Sequence, residues 1–368
     1  MAKLSKSKKI RRLLFLLIVL GLLIYGIVTI VGVVLKSADD ETSDSAPLTD
    51  QTLKFNELAI GNANYVRFRD VVKQFSLQAN ARYDEPEGTV IIKHNNTTCE
   101  MMVGQTQLAK NGIFLPVDAM PYVDPNSGEI SLNHAALQHC LGVVADEGKF
   151  VLQTKPASVQ PESVFNEQKQ IEIANVDASQ LTEYMTFLDN PIPGAQLSTR
   201  DNHLPGAPRT YRNGTHEGID FYNDYTNVSI DRNTRVLSVA DGVVVRVDRE
   251  YKEMSVKQRN RLLAIAADAK QTPAYILDKM RGRSVWVQYE KGIMVRYCHM
   301  GELNPALRIG FELKRGEWIG NVGNSGTDEG ASGGDGELHL HMDVLLYGEL
   351  FWEHLSKNEI RSLLAKIF

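Results

Sequence analysis

The sequence predicts a single transmembrane helix, then a small α+β domain, then a mainly β domain of antiparallel sheet with a helical insertion. Three observations predict it. Residues 13–35 carry no charge, residues 58–154 mix helical spacing with short strand-like runs, and residues 235–346 repeat strand-like segments between glycine-containing turns. At 368 residues the chain exceeds the usual size of one domain, so two folded units with connecting segments are expected.

The run LLFLLIVLGLLIYGIVTIVGVVL at residues 13–35 is long enough to cross about 30 Å of hydrocarbon as a helix. Lys3, Lys6, Lys8, Lys9, Arg11 and Arg12 precede it, and Asp39, Asp40, Glu41, Asp44 and Asp50 follow. That asymmetry predicts a cytoplasmic tail at residues 1–12 and places the rest of the chain outside the cytoplasm. The stretch exceeds an ordinary signal-peptide core and no A-x-A site follows, which favours an uncleaved signal-anchor over a cleaved signal. Residues 36–57 are acidic and rich in Ser and Thr, and read as a flexible stalk.

Residues 58–154 read as the α+β domain. Phe68, Val71, Val72 and Phe75 have helical spacing; strand-like runs follow at 89–93, 99–103 and 113–117, and a second helix is expected at 132–141, ahead of Gly142. Cys99, Cys140 and Cys298 form no C-x-x-C pair; Cys99 and Cys140 could pair or remain two free buried thiols, and the sequence leaves both open. Residues 155–190 read as a linker with one helix at 178–187. Residues 191–356 form the β-rich domain, with strand-like segments at 235–238, 242–247, 284–288, 294–298, 318–322 and 338–346. Residues 250–283 interrupt it with two helical stretches separated by Pro273, and residues 357–368 are taken as a C-terminal helix.

With 40 Lys+Arg against 45 Asp+Glu, the net charge of -5 offers no general attraction for a polyanion, so nucleic acid is excluded as a partner class. The chemistry concentrates in four of the nine histidines. In extended backbone, residues an even number apart face the same way, so His216 and Asp220 in His216-Glu-Gly-Ile-Asp220 converge on one point. His339 and His341 share the polar face of the alternating strand ELHLHMD, and His299 ends another strand. Catalytic zinc needs three protein ligands of mixed nitrogen and oxygen type and one open position, which His216, Asp220 and one histidine of the pair would supply. The remaining imidazoles would serve proton transfer or charge stabilisation.

Two family resemblances follow from these runs. "YVRFRDVV", "YDEPEGTVIIKHN", "NGIFLPVDAMPYVDPNSGEISL" and "ALQHCLGV", within residues 64–152, resemble the N-terminal domain of copper amine oxidases. His94, His134 and His139 have no ligand-like grouping, so that module is expected to serve as a spacer or wall-binding unit. "YRNGTHEGIDF", "VRYCHM", "GEWIGNVGNSG" and "ELHLHMDV", in this order over residues 191–355, resemble the LytM/lysostaphin family of zinc endopeptidases.

The second resemblance implies one zinc per chain held by His216, Asp220 and His341, with His299 and His339 as the catalytic histidines. It implies hydrolysis of peptide cross-links or stem peptides in bacterial peptidoglycan; together with the signal-anchor read at residues 13–35, the expectation is a single-pass protein of the bacterial cell membrane. The chain departs from the family in three places. The insertion at 250–283 is long, the loop GNSGTDEGASGGDG at 323–336 is extended, and Met342-Asp343 stands where Phe-Glu is common. The competing expectation is a catalytically idle scaffold that binds wall or a protein partner, with the helical insertion as the candidate partner surface.

Overall fold

The computed structural model describes residues 51–146, 149–153 and 158–368. The transmembrane part of the expected fold is corrected. Among the described residues no helix is long and apolar enough to cross a membrane. The longest, Val256–Asp268, has 13 residues, or about 20 Å at 1.5 Å per residue against about 30 Å of hydrocarbon. Residues 13–35, where that span was expected, lie outside the described residues. The single-pass membrane localisation and the membrane as partner are accordingly withdrawn.

Residues 51–153 form three small antiparallel sheets of three, four and five strands. The five-stranded sheet is a meander in chain order, from Ala81–Asp84 to Ile113–Leu115. Alternation drives it: in Thr89–His94, Val90 and Ile92 are buried while Lys93 between Ile92 and His94 is exposed. The two expected helices form at Phe68–Gln74 and His134–Leu141. The second is started by Asn133, whose Oδ1 accepts from the Ala136 N–H at 3.0 Å, and stopped by Gly142 in the left-handed region. Cys140 on this helix is disulfide-bonded to Cys99 on the strand Thr97–Met102, which settles the open question of their pairing.

Residues 158–190, expected as a linker, bury Val164, Phe165, Ile173, Leu181, Met185 and Leu188 in the core. Their helix, Ala178–Met185, begins with a capping box of Asp177 and Gln180 and packs against the C-terminal helix Lys357–Ile367.

The main sheet has seven antiparallel strands. We label them β1 (Ile219–Tyr222), β2 (Gly242–Val247), β3 (Val285–Tyr289), β4 (Ile293–Cys298), β5 (Glu312–Leu313), β6 (His339–Leu346) and β7 (Glu349–Leu350). Their order is β1-β6-β4-β3-β2-β5, with β7 on β6. Between β2 and β3 the expected insertion forms two helices, α1 (Val256–Asp268), begun by a Ser255/Gln258 capping box, and α2 (Ala274–Met280), which follows Pro273.

Strand β6 is buried along its whole length, so both of its faces are covered. The polar face that His339 and His341 were expected to share is thus buried as well. At Asp343 that face is covered by arginines: the buried Arg281 at the end of α2 and the partly buried Arg296 on β4 both donate to it.

Candidate metal centre

Pairing of β1 with β6 sets Asp220 opposite His341 and Tyr222 opposite His339; pairing of β4 with β6 sets Cys298 opposite His341, so His299 emerges just beyond. His216 lies before β1 rather than in it, on chain that bends at Gly218. A Cβ at Gly218 would stand 2.3 Å from the Met342 carbonyl oxygen, so glycine alone lets this segment press onto β6. The bend performs what an extended run was expected to do.

The result is a closed triad. His216 Nε2 lies 2.9 Å from Asp220 Oδ1 and 3.0 Å from His341 Nδ1, and His341 Nδ1 lies 2.8 Å from Asp220 Oδ1. All three side chains are buried. Among the described residues, this is the one group of three or more His, Cys, Asp or Glu side chains whose donor atoms gather closely enough for a metal ion.

Each imidazole has its other nitrogen committed. His216 Nδ1–H donates to the Leu204 carbonyl at 2.9 Å, and His341 Nε2–H donates to Asp343 Oδ1 at 2.6 Å, tautomers that follow from the acceptors they face. The nitrogens turned inward are therefore the ones able to bind a cation, the arrangement metal-binding histidines require. Two buried imidazole nitrogens and one carboxylate oxygen, facing one point in a cavity of about 140 Å³, fit zinc with a further position open.

His339 and His299 flank the triad. His339 Nδ1–H donates to the Glu337 carbonyl and His299 Nδ1–H to the Ser325 carbonyl, each at 2.7 Å, so both leave Nε2 free. Their rings are 4.6 Å apart, and His339 stacks on Tyr222 at 4.1 Å between centroids. His299 holds a φ of +57°, a left-handed conformation that a non-glycine residue keeps only when its surroundings enforce it. The bond from its N–H to the Arg281 carbonyl, 2.8 Å, does so.

Charge is arranged to match. Burial would raise the Asp220 carboxyl, but His216 and His341 hold it well below the usual carboxylate range. Burial works against ionisation of Asp343 too, yet Arg281 and His341 hold it strongly acidic. Burial, then the nearby His339 and His341, keep His299 well below the ordinary imidazole value and hence neutral.

All five side chains singled out in the sequence thus come together. Asp343, the Leu204 carbonyl and the arginines behind Asp343 were not foreseen. Asp343 had a signal, since it lies two residues after His341 and so on the same strand face. Leu204 had none, because a carbonyl exists at every residue. The insertion also reaches the site: Arg259 of α1 and Leu277 and Met280 of α2 line the same cavity.

Residues 214–351 match Peptidase family M23, and this part of the chain is an M23 domain. The match starts well beyond residues 64–152, so the amine-oxidase resemblance gains no support and is dropped. No curated protein matches the chain. Among solved structures it is similar to a zinc-containing peptidase from Vibrio cholerae, at 17% identity over 44% of this chain and 38% of that one, with a TM-score of 0.29. It is also similar to the catalytic domain of the antimicrobial peptidase lysostaphin from Staphylococcus simulans, at 17% identity over 39% of this chain and 73% of that one, with a TM-score of 0.23. The chain thus spans well under half the length of the Vibrio peptidase. Likenesses this distant carry no argument about function.

Proposed function

We propose that the M23 domain is an active zinc metalloendopeptidase that hydrolyses peptide cross-links or stem peptides of bacterial peptidoglycan. One observation carries the reading: His216, Asp220 and His341 turn their free donor atoms to one point, while His299 and His339 each present a free Nε2 beside it. The three inner donors are the ligands of one zinc ion per chain. Bound zinc would supply Lewis acidity and a water able to lose its proton near neutral pH.

The flanking histidines do the proton work. A neutral imidazole with Nδ1–H tied to a carbonyl can accept a proton at Nε2 from attacking water and, once protonated there, return it to the departing amine or donate to the oxygen of the attacked amide. The strained backbone at His299 and the Tyr222 stack on His339 keep those nitrogens aimed at the cavity. A catalytically idle scaffold would need neither alignment, so the completeness of the set weighs against it.

The test is digestion of purified peptidoglycan by the zinc-loaded chain. New free amino groups should appear without new reducing sugar ends, because amide hydrolysis yields a carboxylate and an amine. A zinc-loaded chain that releases no amine from walls of several cross-link types would sink the enzyme reading.

A further inference from the structure

Helix α2 is held at its start by one region of the molecule and holds the candidate metal centre at its end. Its first turn lacks a side-chain cap of its own, since the capping residue is Pro273. The acceptor comes from residues 51–153 instead: the Ala274 N–H donates to Glu87 Oε2 at 2.7 Å. Glu87 sits in the hairpin loop between the strands Ala81–Asp84 and Thr89–His94. The next residue, Gly88, has a φ of +70° and lies against Tyr275, where a Cβ would stand 3.3 Å from the tyrosine Cβ.

A second tie reaches the middle of α2. Asp278 accepts from the buried Arg246 of β2, and the same guanidinium donates to Gln107 Oε1 at 3.1 Å. Beyond the last turn, Arg281 donates from Nε to Asp343 Oδ2 at 2.8 Å, and its carbonyl accepts the His299 N–H at 2.8 Å. Between these ends, Leu277 and Met280 line the cavity that contains the histidines.

We propose that residues 51–153 brace this wall of the substrate cleft, and that Glu87 is a positioning residue acting through α2. Loss of the Glu87 acceptor leaves an unsatisfied N–H at the start of a two-turn helix, which frays a helix too short to hold itself. Fraying displaces Leu277 and Met280 and loosens the hold of Arg281 on Asp343 and on the backbone of His299. The expected catalytic consequence rests on the peptidase reading above; the mechanical one does not.

The experiment compares the zinc-loaded full chain with Glu87→Ala and Glu87→Gln. Under saturating zinc, Glu87→Ala should retain one zinc and lose roughly fivefold in kcat/KM, about the effect of one lost helix cap, with KM rising more than kcat falls. Glu87→Gln keeps an acceptor oxygen and should stay within about twofold of the parent. Hydrogen exchange should quicken in Glu87→Ala at residues 274–283 and at 299–300, but not in β3. Unchanged exchange at α2, or exchange that quickens while kcat/KM stays at the parent value, overturns the proposal. If the parent chain cuts no wall, the function reading fails by itself, and zinc affinity by chelator competition replaces the kinetics. A severalfold weakening in Glu87→Ala then supports the brace, and equal affinity overturns it.

Discussion

Histidines in the two halves of the molecule sit in opposite kinds of environment. In residues 51–153, His94 packs edge-on against Phe75, His134 meets Glu57 at 2.6 Å and the ring of Phe150, and His139 is kept below the ordinary imidazole value mainly by burial. Each serves its own neighbours. In the M23 domain, His216, His299, His339 and His341 each spend one nitrogen on a fixed acceptor and turn the other toward a common cavity. An imidazole becomes a candidate ligand or catalyst through what its second nitrogen is bonded to, which residue type alone does not tell.

The sharpest way to break this contrast is to remove the inward donors. His216→Ala, Asp220→Ala or His341→Ala should each lower bound zinc from about one per chain to under about 0.1, measured by elemental analysis, because two ligands do not hold a catalytic ion. His299→Ala and His339→Ala should retain zinc and lose amine release by about a hundred- to ten-thousand-fold, the range for removing a general acid or base. If those two variants also lose the metal, the division into ligands and catalysts is wrong.

Asp343→Asn tests the fixed acceptor rather than the donor. It removes the charge that His341, Arg281 and Arg296 share on a carboxylate with no solvent exposure of its own. Zinc affinity should fall roughly 10- to 100-fold, as for other lost partners of metal-binding histidines, with the three ligands intact. Chelator competition measures this directly, and an unchanged affinity would mean that Asp343 does not orient His341.

In the other half the same strength of effect should come from sulfur, not nitrogen. Replacing Cys99 and Cys140 together by Ala opens a link between residues 41 apart and should cost about 2–4 kcal/mol in denaturant unfolding. Zinc content should not move. The smallest effect belongs to His134→Ala, which loses an exposed pair with Glu57 and should change stability by less than about 1 kcal/mol. Any loss of zinc in that variant would collapse the distinction between the two regions.

Much of the site was legible because its logic is local. The i, i+2 spacing of His339 and His341 fixes a shared strand face whatever the strand pairs with, and two histidine motifs in order limit the chemistry to a few metals. The insertion was legible for the same reason, since Pro273 and the apolar spacing around it act within one turn of chain. Residues 158–190 misled because sparse apolar residues among Gln, Glu and Ser carry no period, although Phe165, Leu181 and Met185 reach the core.

By itself the sequence determined which donors exist, their order along the chain, and where helices and strands could form, because those depend on residues within a few positions of each other. Only the tertiary structure decided which nitrogen of each histidine is free, that Asp343 stands behind His341 with two arginines behind it, and that Cys99 meets Cys140. It also decided that the first turn of α2 is capped by Glu87, 187 residues away. Such contacts follow from how sheets stack and which loops come to face each other, and a hydrogen bond between distant residues leaves no period or spacing in the sequence.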